Sequence, residues 1–107
     1  MSLDVYLEFL FTKKIPGGRI IEVARKNNRK CLGLARANLS YDEASVYCQS
    51  RRLSFLRVNL QACNRSARPQ KCQELVSNEI DRIEDIVQLH KRRIQAKDNE
   101  EYNSWLY

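Results

Sequence analysis

Five residues of this 107-residue chain carry distinctive chemistry: Cys31, Cys48, Cys63, Cys72 and His90. Zinc would need closely spaced ligand pairs, because a knuckle presents two sulfurs to one ion. Here the cysteines are separated by 16, 14 and 8 residues, so no metal site is expected. A Cys–His nucleophile would need an orienting group and a pocket, for which a small helical chain has little room. A disulfide needs only that two Cα atoms approach to about 5.5–6 Å. Cys31 and Cys48 lie almost symmetrically about the Asn38-Leu39-Ser40 break, and Cys63 and Cys72 about the break from Asn64 to Pro69. If those breaks join antiparallel helices, each pair meets across a hairpin. Reduced, buried thiols are the plainer alternative, since free cysteine packs as a small hydrophobe.

Charge is the second chemical resource. Nineteen Lys and Arg against thirteen Asp and Glu give a net charge of +6. The excess gathers in a basic patch, Lys13, Lys14, Arg19, Arg25, Lys26, Arg29 and Lys30, followed by Arg36 and opposed only by Asp4, Glu8 and Glu22. Such a patch attracts acidic protein surfaces, anionic lipid head groups or RNA, although a solvated basic face has the same composition. Arg51, Arg52, Arg57, Arg65 and Arg68 could also meet phosphates, but no helix-turn-helix, zinc finger or RNA-binding motif accompanies them. Pro16-Gly17-Gly18 lacks the spacing of a phosphate-binding loop. The carboxylates of the last helix are expected mainly on its solvated face. The sequence therefore implies no enzyme, no cofactor and no small-molecule substrate.

The elements that must position these groups read as helices. Leu3, Val5, Tyr6, Leu7, Phe9, Leu10 and Phe11 form the densest apolar patch. The segment lacks a basic leading region and contains Asp4 and Glu8, so it does not read as a secretory signal, and it is too short to span a bilayer. It reads as a docking anchor, with Pro16-Gly17-Gly18 as a joint. Ile20, Ile21, Val23 and Ala24 start a helix that either exposes or breaks at the polar run from Arg25 to Lys30. Ser40-Tyr41-Asp42-Glu43 is a capping box. From it Ala44, Tyr47, Cys48, Phe55, Leu56, Leu60 and Cys63 follow helical spacing, with Leu53 and Val58 off the stripe. Pro69 opens the last helix. There Cys72, Val76, Ile80, Ile83, Val87, His90 and Ile94 form a heptad seam widened by Leu75, Ile86 and Leu89. That helix is expected over about residues 69 to 97, with His90 as a seam residue holding a hydrogen-bond partner. The polar tail ends in a docking cluster, Trp105, Leu106 and Tyr107.

Paired cysteines on helical hairpins resemble the coiled-coil-helix (twin CX9C-like) proteins of the mitochondrial intermembrane space. The resemblance covers about Cys31 to Ile94 and rests on cysteine placement. Those proteins pair two C-x9-C segments within one hairpin, whereas Cys31-x16-Cys48 and Cys63-x8-Cys72 would each staple a different turn. The resemblance implies oxidation in that compartment.

The expected architecture is all-α and a single domain over 1–107: an anchor and joint (1–18), a small three-helix scaffold with a long projecting C-terminal helix (19–97), and an aromatic tail (98–107). The expected role is a non-catalytic accessory subunit of a larger assembly, a mitochondrial membrane complex, bound to other protein subunits in the intermembrane space or at the inner membrane. The alternatives are an RNA-contacting mitoribosomal protein and a small cytoplasmic coiled-coil adaptor.

Overall fold

The computed structural model describes the backbone from residue 17 to 106 and the side chains from 17 to 100. The anchor residues Leu3, Val5, Tyr6, Leu7, Phe9, Leu10 and Phe11, with Lys13 and Lys14, lie outside the described residues, as do Tyr107 and the side chains of Trp105 and Leu106. Three helices follow one another: α1 (Gly17–Ala35), α2 (Tyr41–Ala62) and α3 (Pro69–Leu106). A 3-10 turn, Cys63–Arg65, ends α2. No strand occurs among the described residues, so the chain is an all-α scaffold.

Each junction has a local cause. The amides of Asn38 and Leu39 both donate to the Ala35 carbonyl, closing α1 in a tight turn. Ser40 then caps α2, accepting from the Glu43 amide at 3.3 Å. The expected reciprocal half of the capping box differs: the Ser40 hydroxyl donates to the Glu43 carboxylate at 2.9 Å, a bond that holds that carboxylate over the helix start. At the second junction the Ser66 amide donates to the Cys63 carbonyl, Ser66 Oγ accepts from the Arg68 amide, and Pro69 begins α3 where no donor is needed.

One core unites the described residues. Ile20, Val23 and Ala24 of α1, Leu53, Phe55 and Leu56 of α2, and Val76, Ile80, Ile83 and Val87 of α3 are buried together with Cys63 and Cys72. The α3 seam follows the expected heptad as far as His90; Ile94 is half-buried. Leu75 and Leu89 do not widen it and are exposed. On α2 two assignments reverse: Tyr47 is half-exposed and Leu53 is buried. Since α2 packs against both α1 and α3, its buried arc is wider than one stripe and shifted from it. The polar run of α1 neither breaks the helix nor wholly faces water, because Asn28 is buried within it.

Both cysteine pairs are disulfides, with Cα–Cα distances of 5.7 Å for Cys31–Cys48 and 5.4 Å for Cys63–Cys72. They staple the two ends of the bundle, α1 to α2 and α2 to α3. Loops of these lengths give roughly 2–4 kcal/mol each by restricting the unfolded chain.

Gly17 and Gly18 are not a hinge: both belong to α1. Gly17 is buried, and a Cβ there would sit 3.2 Å from both the Cα and the carbonyl oxygen of Cys72, itself tied by its disulfide. The missing side chain is what lets α1 approach the stapled start of α3. α3 also outruns its expected length. It extends helically to Leu106, 38 residues or about 57 Å, and sets the 62 Å long axis of the molecule. Residues 95 to 100 are all exposed, past the last core contact.

The glycines give a paired test in urea unfolding with disulfides intact. Gly33 is helical, and a Cβ there would project into open space with no neighbour within 4 Å, so Gly33→Ala should raise stability by about 0.5–1 kcal/mol. Gly17→Ala should lower it, because the backbone it meets cannot retreat. A gain at both positions would mean that α1 can slide away from Cys72.

Candidate functional site

The three helices meet around one carboxylate. Glu79 of α3 is 6% exposed. Its Oε2 lies 3.0 Å from Arg52 Nη2 of α2 and 3.4 Å from Arg25 Nε of α1, and its Oε1 accepts from Arg82 Nε at 2.7 Å. Arg52 is buried too and also donates to Gln49 Oε1 at 3.4 Å. Arg25 and Arg82 remain half-exposed, so they close the cluster on its outer side.

Burial sets the electrostatics. It lowers the Arg52 guanidinium from its usual range, and the Glu79 charge opposes this. Burial alone would push the Glu79 carboxyl up; the Arg82 hydrogen bond and the charges of Arg82, Arg52 and Arg25 outweigh it and hold the carboxyl below its ordinary value. The Arg82 guanidinium is raised by its hydrogen bond to Glu79. The α3 carboxylates lie mainly on a solvated face, as expected, with Glu79 the exception, where a buried partner from α2 neutralises it.

Beside the cluster lies a cleft of about 470 Å³, lined by Gly18, Ile21, Glu22, Arg25, Asn28, Arg29, Arg52 and Arg82. Asn28 Oδ1 and Arg52 Nε are buried without a hydrogen-bond partner, and both residues line this cleft. One donor and one acceptor thus stand unmet, each sealed from solvent, in two residues beside the cluster.

The expected basic patch is divided by the fold. Arg19 and Lys26 each pair with Glu22 at 3.4 Å on the surface of α1, and Arg25 turns to Glu79. Arg29 and Lys30 are exposed and have no ion-pair partner among the described residues. Of the central arginines, Arg52 is buried and Arg57 donates to Glu84 at 2.6 Å, so neither is free for a phosphate backbone.

A second polar cluster closes the other end. His90 Nδ1 lies 2.8 Å from Asp42 Oδ1, and Arg93 Nε approaches the same oxygen at 3.3 Å. Tyr41 meets the His90 ring edge-on, with Arg36 over the Tyr41 ring at 5.3 Å to its centroid. The carboxylate accepts, so Nδ1 carries the proton in this pair. These contacts tie the end of α1, the start of α2 and the upper seam of α3, which gives His90 the partner expected for a seam residue.

Glu79, Asn28 and Arg82 were not candidates on sequence grounds, and Arg52 was one only as a phosphate contact, yet a signal for the buried pair existed. Arg52 lies four residues from both Cys48 and Leu56, and Glu79 lies three from Val76 and four from Ile83. Opposite charges on the apolar stripes of two helices mark a buried pair.

Among the described residues no group of His, Cys, Asp or Glu could hold a metal ion, and no helix is long and apolar enough to cross a membrane. Comparison with known proteins gives no match among family models, curated proteins or solved structures.

Glu79 predicts the acid response. Its carboxyl titrates lower folded than its ordinary 4.5, so the unfolded chain binds the extra proton. The contribution should be complete above about pH 4.5 and fade as the pH falls through the folded value. Glu79→Gln should remove that part of the acid dependence and cost about 3–5 kcal/mol at pH 7, because it leaves Arg52 buried without a counter-charge. Arg25→Ala, in a half-exposed pair, should cost about 0.2–1 kcal/mol. Urea unfolding from pH 7 to 3 measures both; parallel curves for Glu79→Gln and the parent would show that the carboxylate is not held by its arginines.

Proposed function

We propose that the chain is a non-catalytic accessory subunit of a larger multi-subunit assembly, a membrane complex of the mitochondrion, and that its mechanism is adhesive. The observation that carries this reading is the overshoot of α3. The core ends at His90 and Ile94, while the helix runs on to Leu106 with residues 95 to 100 exposed. A helix extending that far beyond its own scaffold is stable chiefly when another surface packs on it, because isolated helical segments of this length are marginal in water. The sequence cluster Trp105-Leu106-Tyr107, whose side chains lie outside the described residues, supplies apolar groups for a partner subunit. The apolar segment from Leu3 to Phe11 supplies a second adhesive element. Two disulfides suit an oxidising compartment such as the intermembrane space, in keeping with the coiled-coil-helix resemblance. The exposed bases of α1 then face acidic protein or anionic lipid.

Two deletions test the reading, each expressed in cells that make the protein and followed by native electrophoresis of solubilised membranes. Removing residues 95–107 should keep both disulfides and shift Tm by less than about 4 °C, yet abolish incorporation into the assembly. Removing residues 1–12 should do the same. Incorporation of both truncated chains at the parent level would end the adhesive reading. Recovery of the parent chain only as a free monomer, with all four thiols reduced, would end the mitochondrial one.

A further inference from the structure

The face of the bundle turned away from α3 mixes exposed apolar side chains with bases. Cys31 lies opposite Cys48 across the antiparallel pair of α1 and α2. On each helix the residues one before and three after the cysteine fall on the same outer side: Lys30 and Leu34 on α1, Tyr47 and Arg51 on α2. α3 packs on the other side, where Arg25 and Arg52 reach Glu79. Val58 continues the α2 stripe seven residues beyond Arg51. Leu34 is 78% exposed, Val58 52% and Tyr47 50%, three large side chains that the core does not use.

Charge is divided between the two sides of the molecule. Lys30 and Arg51 are exposed and have no carboxylate partner among the described residues. Arg51 lies over the Tyr47 ring at 5.7 Å and donates to its hydroxyl at 3.3 Å. The carboxylates bordering the face are engaged, Glu22 by Arg19 and Lys26, and Glu43 by Ser40. Glu74, Asp81 and Asp85 are exposed on the outer side of α3, opposite its buried seam.

We propose that the α1–α2 face lies on an anionic phospholipid surface. Leu34, Tyr47 and Val58 enter the boundary between head groups and acyl chains, and Lys30 and Arg51 meet the head-group phosphates. An apolar and basic helical face fits that boundary, because long basic side chains reach out to phosphate while their stems cover apolar surface. Tyr47 suits the same depth, with an apolar ring and a polar tip. A protein partner fits less well, since the centre of a protein interface is depleted in charged residues, lysine above all. A nucleic acid would use Tyr47 and the bases but leave Leu34 and Val58 without a role. The acids on the far side of α3 are repelled by an anionic surface and so turn the α1–α2 face toward it. The proposal deepens the adhesive reading, on which it rests for the bases of α1 having a surface to meet, and names lipid as that surface.

The test is flotation of the full oxidised chain with vesicles of phosphatidylcholine alone and of phosphatidylcholine mixed with phosphatidylglycerol. The chain should float with the mixed vesicles and not with the neutral ones. Lys30→Gln/Arg51→Gln should weaken binding by about tenfold or more, since each base near an anionic surface contributes about fivefold. Leu34→Ser/Val58→Ser should weaken it by at least about threefold, with unchanged circular dichroism because both side chains are exposed in the fold. Lys91→Gln/Arg92→Gln removes the same charge from exposed positions of α3 and should leave binding within about twofold.

No flotation with the mixed vesicles, equal flotation with the neutral ones, or an equal loss in the Lys91/Arg92 variant would overturn the proposal. Vesicle binding that survives both face variants, beside polyuridylate binding that needs Lys30 and Arg51, would overturn it in favour of RNA. None of these outcomes bears on incorporation of the truncated chains, so the adhesive reading stands or falls separately.

Discussion

Burying one carboxylate is the constraint on which the rest of the molecule depends. Glu79 leaves water only because Arg52 leaves it too, and Arg52 is tolerable inside only because Glu79 is there. Arg25 and Arg82 complete the shell from the other side of the junction, so every helix contributes to one site. An apolar seam such as Val76, Ile83 and Val87 against Leu53 and Leu56 rewards contact but discriminates weakly between registers. A buried ion pair is less forgiving. Sliding α2 by one turn against α3 would strand both charges, and we regard the specification of register as the pair's main contribution.

The disulfides and Gly17 act on the same geometry at its edges. A chain this short buries a modest core, and cross-links that restrict the unfolded state compensate for the missing apolar area. Cys31–Cys48 and Cys63–Cys72 close opposite turns, which leaves α2 bound covalently to both of its neighbours. With α2 held in this way, α1 can lie close to the start of α3 only where a side chain is absent, at Gly17. Asp42, His90 and Arg93 then seal the end where α3 leaves the bundle.

The core itself uses only part of α3. The staples, the ion cluster and the seam are complete by about Ile94, and residues 95 to 100 beyond it are exposed. The same economy applies to the arginine-lined cleft, where charges recruited to neutralise Glu79 exceed the requirement and leave an electropositive recess open to solvent.

Much of the scaffold is legible in the residues. Turn chemistry at Asn38-Leu39-Ser40 and before Pro69 places the hairpins, and the positions of the cysteines about those turns anticipate both bonds. The seam from Cys72 to His90 is visible because one helix with one buried face shows a clean period. α2 hides its core, misplacing Tyr47 and Leu53, because a helix packed on two sides has no single stripe to display. Gly17 reads as a joint, since sequence cannot reveal that another backbone lies 3.2 Å from its missing side chain. α3 ends later than its polar tail suggests, because a polar stretch without Gly or Pro continues a helix as readily as it frays. The spacing of Arg52 and Glu79 on their apolar stripes hints at a buried pair, but the four-residue cluster and the cleft belong to the tertiary structure. Arg25, Arg52, Glu79 and Arg82 come from three helices, and only their packing turns four surface-type residues into a buried charge and the recess beside it.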